Sequence, residues 1–210
     1  MKNLQKTVKE PIEIEGVGLH NGIKVNLCIK PAEVNSGIRF KRTDVDEAKN
    51  IIEASYKNVS SPVLCTKIKN SYGVTVSTIE HLMATFYGEG IDNVLVEIDA
   101  PEVPIMDGSA FDFVTAIRSF GVQEQNYAKK FIKVLKKIEV KDGLKHISIE
   151  PLTKDLIIDF EIPNVIVTPT AAVAFIILCK PISGIFTFFI VVFFFPGSRI
   201  SISNSEKSFD

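Results

Sequence analysis

The chain has 210 residues, 46% of them hydrophobic, enough for one large domain or two small ones. A formal net charge of -1 and the lack of a polybasic run exclude the electrostatic footprint of a nucleic-acid binder or of a protein drawn to an anionic membrane surface. Residues 1–15 hold no apolar core of a secretory signal, and three isolated cysteines, Cys28, Cys65 and Cys179, form no C-x-x-C pair, which argues against a disulfide framework or a cysteine zinc cluster. A reduced, cytoplasmic setting is the simplest expectation.

In chain order, Ile23, Val25, Leu27 and Ile29 alternate with polar or small neighbours, the pattern of a half-buried strand. Residues 37–41 and 72–76 are shorter strand candidates, and 93–98 is apolar enough for a more deeply buried strand. A helix is expected from Ser77, with Glu80 at capping-box spacing and Ile79, Leu82, Met83, Phe86 and Tyr87 on one face. A second is expected after the turn at 104–108, with Phe113, Val114, Ile117 and Phe120 as its stripe and Gly121 as its stop. Residues 123–130 read as a polar linker. Strand-like runs follow at 131–140, 144–150 and 155–162, with Asp142-Gly143 as a hairpin signal between the first two.

Composition changes near Pro163. Of the 49 charged side chains, 44 lie in residues 1–162, whereas from Pro163 to Ser198 the only charge is Lys180. These patterns predict an α+β chain. Mixed α and β elements occupy 1–125, strand-like runs occupy 126–162, and a hydrophobic tail of different character occupies 163–210. Residues 187–195 of that tail are apolar, β-prone and free of charge and proline, an aggregation signature.

Several side chains could carry chemistry. At about 100° per residue, Glu80 flanks the apolar stripe centred on Ile79, and His81 points away from it. Glu80 is either a capping carboxylate or a base beside a metal site. His81 is either a solvated helix residue or a metal ligand, because imidazole suits zinc and a neighbouring carboxylate can take a proton from an activated water. Gly16-Val17-Gly18-Leu19-His20 permits a close backbone approach or a tight turn with His20 exposed. It does not have the G-x-G-x-x-G spacing of a dinucleotide site. The segment 100–109 reads as a structural connection stiffened by Pro101 and Pro104. His146, with Ser148, belongs to the face opposite Ile147 and Ile149 and reads as solvated. Cys65 has no adjacent His or Lys to activate it, so a buried or site-lining thiol is expected.

Six segments in order carry a resemblance. They are Gly16-Val17-Gly18-Leu19-His20, Arg42-Thr43-Asp44, Leu64-Cys65-Thr66, Ser77-Thr78-Ile79-Glu80-His81-Leu82, Gly90-Ile91-Asp92-Asn93 and the run from Pro101 to Ala110. Over about residues 8–162 the chain resembles the zinc-dependent UDP-3-O-acyl-N-acetylglucosamine deacetylases of Gram-negative bacteria, which act on the path to lipid A. The resemblance implies two domains, each a sheet layered with helices: a two-layer sheet/helix sandwich over 1–125 and the first strands of an incomplete second domain over 126–162. It also implies one Zn2+ held by two His, one Asp and a water that attacks the 2-acetamido carbonyl. By matching motif Glu80 is the general base and His81 a zinc ligand, while Leu64, Cys65, Thr66 and His20 are candidates for lining the substrate site. The implied partner is UDP-3-O-acyl-N-acetylglucosamine.

The family's second His and its Asp ligand come from an H-K-x-x-D pattern, and none of His20, His81 or His146 begins one. The expected alternative is therefore a truncated or frameshifted remnant with an incomplete metal site. A membrane anchor through 171–195 is a third reading. Its uncharged stretch 182–195 is short for a span of about 20 residues. Extending it places Lys180 centrally, at a cost of about 2.5–3.5 kcal/mol.

Overall fold

The computed structural model describes residues 4–61, 63–130, 133–142, 145–151, 157–161 and 198–204. They fall into two compact units, residues 4–129 in one and the described residues from 130 onward in the other.

The first unit runs β1 (Leu4–Val8), β2 (Ile12–Val17), β3 (Lys24–Pro31), β4 (Ile38–Arg42), β5 (Ile51–Glu53), β6 (Val59–Ser61), β7 (Lys67–Lys69), β8 (Thr75–Val76), α1 (Glu80–Gly88), β9 (Val94–Ile98), α2 (Phe111–Phe120) and β10 (Val122–Ala128). Its main sheet has the order β2-β3-β9-β4-β5, antiparallel except for the parallel β4/β9 pair. The alternation predicted for β3 is present, with Val25, Leu27 and Ile29 all buried. β9 is the central strand, and Val94, Val96 and Ile98 have no exposed surface. These side chains form one core with Phe40, Phe86, Phe113, Leu82 and Ile117, so the central members of the α1 and α2 stripes meet the sheet, whereas Tyr87 and Phe120 at the helix ends are exposed. A small sheet β6-β7-β8 and the pair β1/β10 complete the unit.

Two local expectations are corrected. Residues 122–128 are strand β10, not a linker, and pair with β1. Gln125 faces inward: its side-chain amide donates to Ala32 O at 2.7 Å and its oxygen accepts from the Asn93 amide at 2.7 Å. Gln123, Glu124 and Asn126 are exposed, so the polar composition is that of a strand largely facing solvent. The capping box is also absent. α1 begins at Glu80 with Ile79 as N-cap and no side-chain cap bond. Ser77 instead donates its hydroxyl to Pro101 O at 3.1 Å.

The second unit contains β11 (Ile138–Asp142), β12 (Lys145–Pro151), β13 (Ile157–Glu161) and β14 (Ser198–Asn204), in the order β11-β12-β14-β13. β11 and β12 are antiparallel with Asp142 opposite Lys145; Gly143, of the predicted turn, lies outside the described residues. Within 163–210, Ser198–Asn204 forms an inner strand, which the sequence reading did not anticipate; the rest of that segment lies outside the described residues. His146 lies in β12 opposite Lys141 and Ser203. Ser148 is buried while Ile147 and Ile149 are half-buried, so the solvated face expected for Ser148 is corrected: β12 is paired on both edges and this small residue is enclosed by its neighbours. No helix among the described residues is long and apolar enough to cross a membrane, and residues 171–195 lie outside them.

Because Phe40 is fully buried at the middle of β4, Phe40→Ala should destabilise the first unit by about 3–5 kcal/mol. Urea denaturation followed by far-UV circular dichroism measures this. A loss below about 1 kcal/mol would show that the core does not close around this ring.

Candidate functional site

The site begins where β8 ends. Arg42, itself buried, donates through Nε and Nη2 to the Asp44 carboxylate at 2.8 and 2.6 Å and through Nη1 to Thr75 O at 2.7 Å. That guanidinium holds the Asp44 carboxyl below the usual range, and the three contacts fix the end of β4 to β8. The chain then pairs with the segment after β9: Ser77 N–H donates to Pro101 O at 2.9 Å and Val103 N–H to Ser77 O at 3.0 Å. Thr78 follows with φ +57°, in the left-handed region. For a β-branched residue this is an outlier that persists only where its surroundings enforce it.

Thr78 sets the direction in which α1 leaves. Glu80 is thereby buried, 4% exposed, and its Oε2 accepts from Thr66 N–H at 3.0 Å. Burial pushes the Glu80 carboxyl above its ordinary value; the amide hydrogen bonds and the His20 side chain pull the other way without offsetting it. The Thr66 hydroxyl faces the same carboxylate but meets hydrogen-bond geometry with no described atom.

His81 is half-buried, not the freely solvated side chain of one sequence alternative. Burial pushes its imidazole below the ordinary histidine value, while the Asp107 charge works in the opposite direction. Asp107 accepts from Ser109 N–H at 2.9 Å and from the Ser109 hydroxyl at 2.8 Å, which keeps its carboxyl low.

Of the residues predicted to line a site, Thr66 reaches the corner through its amide; Leu64, with φ +68°, and buried Cys65 precede it in the loop before β7. His20 is exposed, and its side chain is close enough to act on the Glu80 charge. Gly16 and Gly18 are both close-approach positions: a Cβ at Gly16 would come within 2.7 Å of the Pro104 side chain, and one at Gly18 within 2.7 Å of Glu102 Oε2.

Glu102 is the residue the sequence reading missed. It is 1% exposed and accepts from two backbone amides and the Thr78 hydroxyl. The available signal was a lone carboxylate inside the apolar, proline-rich run Ala100-Pro101-Glu102-Val103-Pro104, since a buried charge must be hydrogen-bonded.

A neutral imidazole with a free nitrogen lone pair is the form that binds zinc. His81, held toward that form by burial, fits as one donor. Among the described residues no group of three or more His, Cys, Asp and Glu could complete a metal shell. The corner therefore offers one candidate donor, His81, next in sequence to a carboxyl whose proton affinity is raised.

Residues 5–175 match the family described as UDP-3-O-acyl N-acetylglycosamine deacetylase. Among similar proteins are the UDP-3-O-acyl-N-acetylglucosamine deacetylases of Shewanella pealeana, 51% identical over 77% of this chain and 53% of the relative, and of Pasteurella multocida, 45% identical with the same coverage. That of Aliivibrio fischeri is 44% identical, again over 77% and 53%. The chain spans about half the length of the curated relatives it matches. The match takes in every residue of the Glu80–His81 corner, and the chain belongs to the UDP-3-O-acyl N-acetylglycosamine deacetylase family.

Proposed function

We propose that this chain supplies the general base and one metal ligand of a hydrolase that removes acetate from UDP-3-O-acyl-N-acetylglucosamine. The observation that carries the proposal is the buried carboxyl of Glu80 directly beside the burial-neutralised imidazole of His81, in a chain of this family. A base is most effective when its proton affinity lies near the working pH, and burial moves Glu80 in that direction. Glu80 takes a proton from the water that attacks the acetamido carbonyl, and the amide is split into acetate and a free amine. Thr66 N–H fixes the orientation of the Glu80 carboxylate, and in this reading His20, whose charge acts on Glu80, would line the substrate site together with Leu64, Cys65 and Thr66. Zinc, bound through His81 and through donors outside the described residues, would supply Lewis-acid polarisation of the carbonyl.

The resemblance implies three protein ligands, and only His81 matches one in this chain. One imidazole does not hold zinc in a closed geometry. The 210-residue chain with added zinc should thus release acetate at well under a tenth of the rate of a complete relative. A chimera joining residues 1–162 to the remaining part of the Shewanella pealeana protein should be active. In it, Glu80→Ala should cost about 10²–10⁴ in rate with zinc retained, and His81→Ala should lower zinc content as well. Full activity of the Glu80→Ala chimera would overturn the role of Glu80, and near-normal turnover by the 210-residue chain would overturn the ligand argument.

The buried carboxyl also makes a stability prediction for the metal-free chain. A folded-state value raised above the unfolded one costs nothing at low pH, where both states are protonated. The cost begins as pH rises past the unfolded value, grows until the raised folded value is reached, and is constant above it. Glu80→Gln removes it, so the variant should gain stability over the parent as pH rises above about 4. Urea midpoints across that range measure the difference, and one that is flat with pH would contradict the burial of an ionising group.

A further inference from the structure

We propose that Glu102 is a positioning residue whose carboxylate, bridged by the Thr78 hydroxyl, holds the His20 loop and the Glu80–His81 helix start in one fixed arrangement. The roles of Glu80 and His81 rest on the function proposed above; the clamp itself stands on geometry.

The Glu102 carboxylate sits at a junction of three segments. From the loop after β2, His20 N–H donates to Oε1 at 3.1 Å and Oε2 at 3.2 Å, and Asn21 N–H donates to Oε2 at 3.1 Å. From the approach to α1, the Thr78 hydroxyl donates to Oε1 at 2.8 Å. The third segment is Glu102's own, bridged to Ser77. Glu102 is 1% exposed, so these hydrogen bonds lie out of contact with solvent, where leaving one unmade is costly. The loop is shaped around this group, with the position of a Gly18 Cβ only 2.7 Å from Oε2.

Thr78 transmits the clamp. Its φ of +57° is held two residues before Glu80. Without its bond to Glu102, the backbone of 78–79 gains freedom to return to ordinary φ values. That swings Glu80 away from Thr66 N–H, its partner at 3.0 Å. Glutamine at position 102 would have nearly the same size and shape but one acceptor oxygen and an NH2 group facing donors. A space-filling role therefore survives Glu102→Gln, and a clamp does not.

The test is amide hydrogen exchange followed by NMR on the metal-free 210-residue chain. In Glu102→Gln, the amides of His20 and Asn21 should exchange about 10- to 100-fold faster. The Thr66 amide, which touches Glu80 and not Glu102, should accelerate with them, while Val96 in β9 stays unchanged. Thr78→Val keeps the shape and removes only the bridging hydroxyl. It should accelerate Thr66 while leaving His20 and Asn21 within about threefold of the parent. If Glu102→Gln fails to fold, Thr78→Val decides the matter by itself. Unchanged Thr66 exchange in Thr78→Val, or in a folded Glu102→Gln, would overturn the proposal. Acetate release plays no part in this readout, so loss of the deacetylase reading and loss of the clamp are separate outcomes.

Discussion

A carboxylate sealed from water must be answered by donors, and the way Glu102 is answered determines how this unit is assembled around its functional corner. Its partners come from the loop after β2 and from the residues before α1, segments about sixty positions apart in the sequence, and its own segment pairs with Ser77. The left-handed Thr78 is tolerable because its hydroxyl and the backbone of its neighbour are both engaged. Everything presented by the first turn of α1 inherits its direction from that junction.

The two acidic groups of the corner are treated in opposite ways. Glu102 is met by the amides of His20 and Asn21 and by the Thr78 hydroxyl, and it ties distant segments together. Glu80 accepts from the Thr66 amide at 3.0 Å, yet burial outweighs its amide contacts and leaves it with raised proton affinity, a combination typical of functional sites.

Periodicity made most of the first unit legible. The alternation of Val25, Leu27 and Ile29 and the stripes of α1 and α2 are signals of burial on one face, and burial is what built those elements. β10 was hidden because strand pairing satisfies the backbone whatever the side chains are, and Gln123-Glu124-Gln125-Asn126, mostly exposed, carries no apolar period. The Ser77/Glu80 spacing suggested a cap, but a cap is a local bond, and here long-range partners, Pro101 and Thr66, took both side chains. Glu80 and His81 were legible through their motif; the burial that tunes them was not, because it depends on segments far away in the chain. Glu102 escaped for the same reason: its donors are 24 to 82 positions distant.

The strand order of the main sheet has a consequence for how the chain reaches this state. β9 lies between β3 and β4 and hydrogen-bonds to both. Until Val94–Ile98 arrives, β2-β3 and β4-β5 are two separate hairpins, each with an open edge and no shared backbone bonds. The sheet therefore closes through contacts of long sequence separation, which makes for slow folding. During synthesis, the nascent chain holds two unprotected edges until its middle has emerged, an interval in which misassociation or chaperone capture competes with closure.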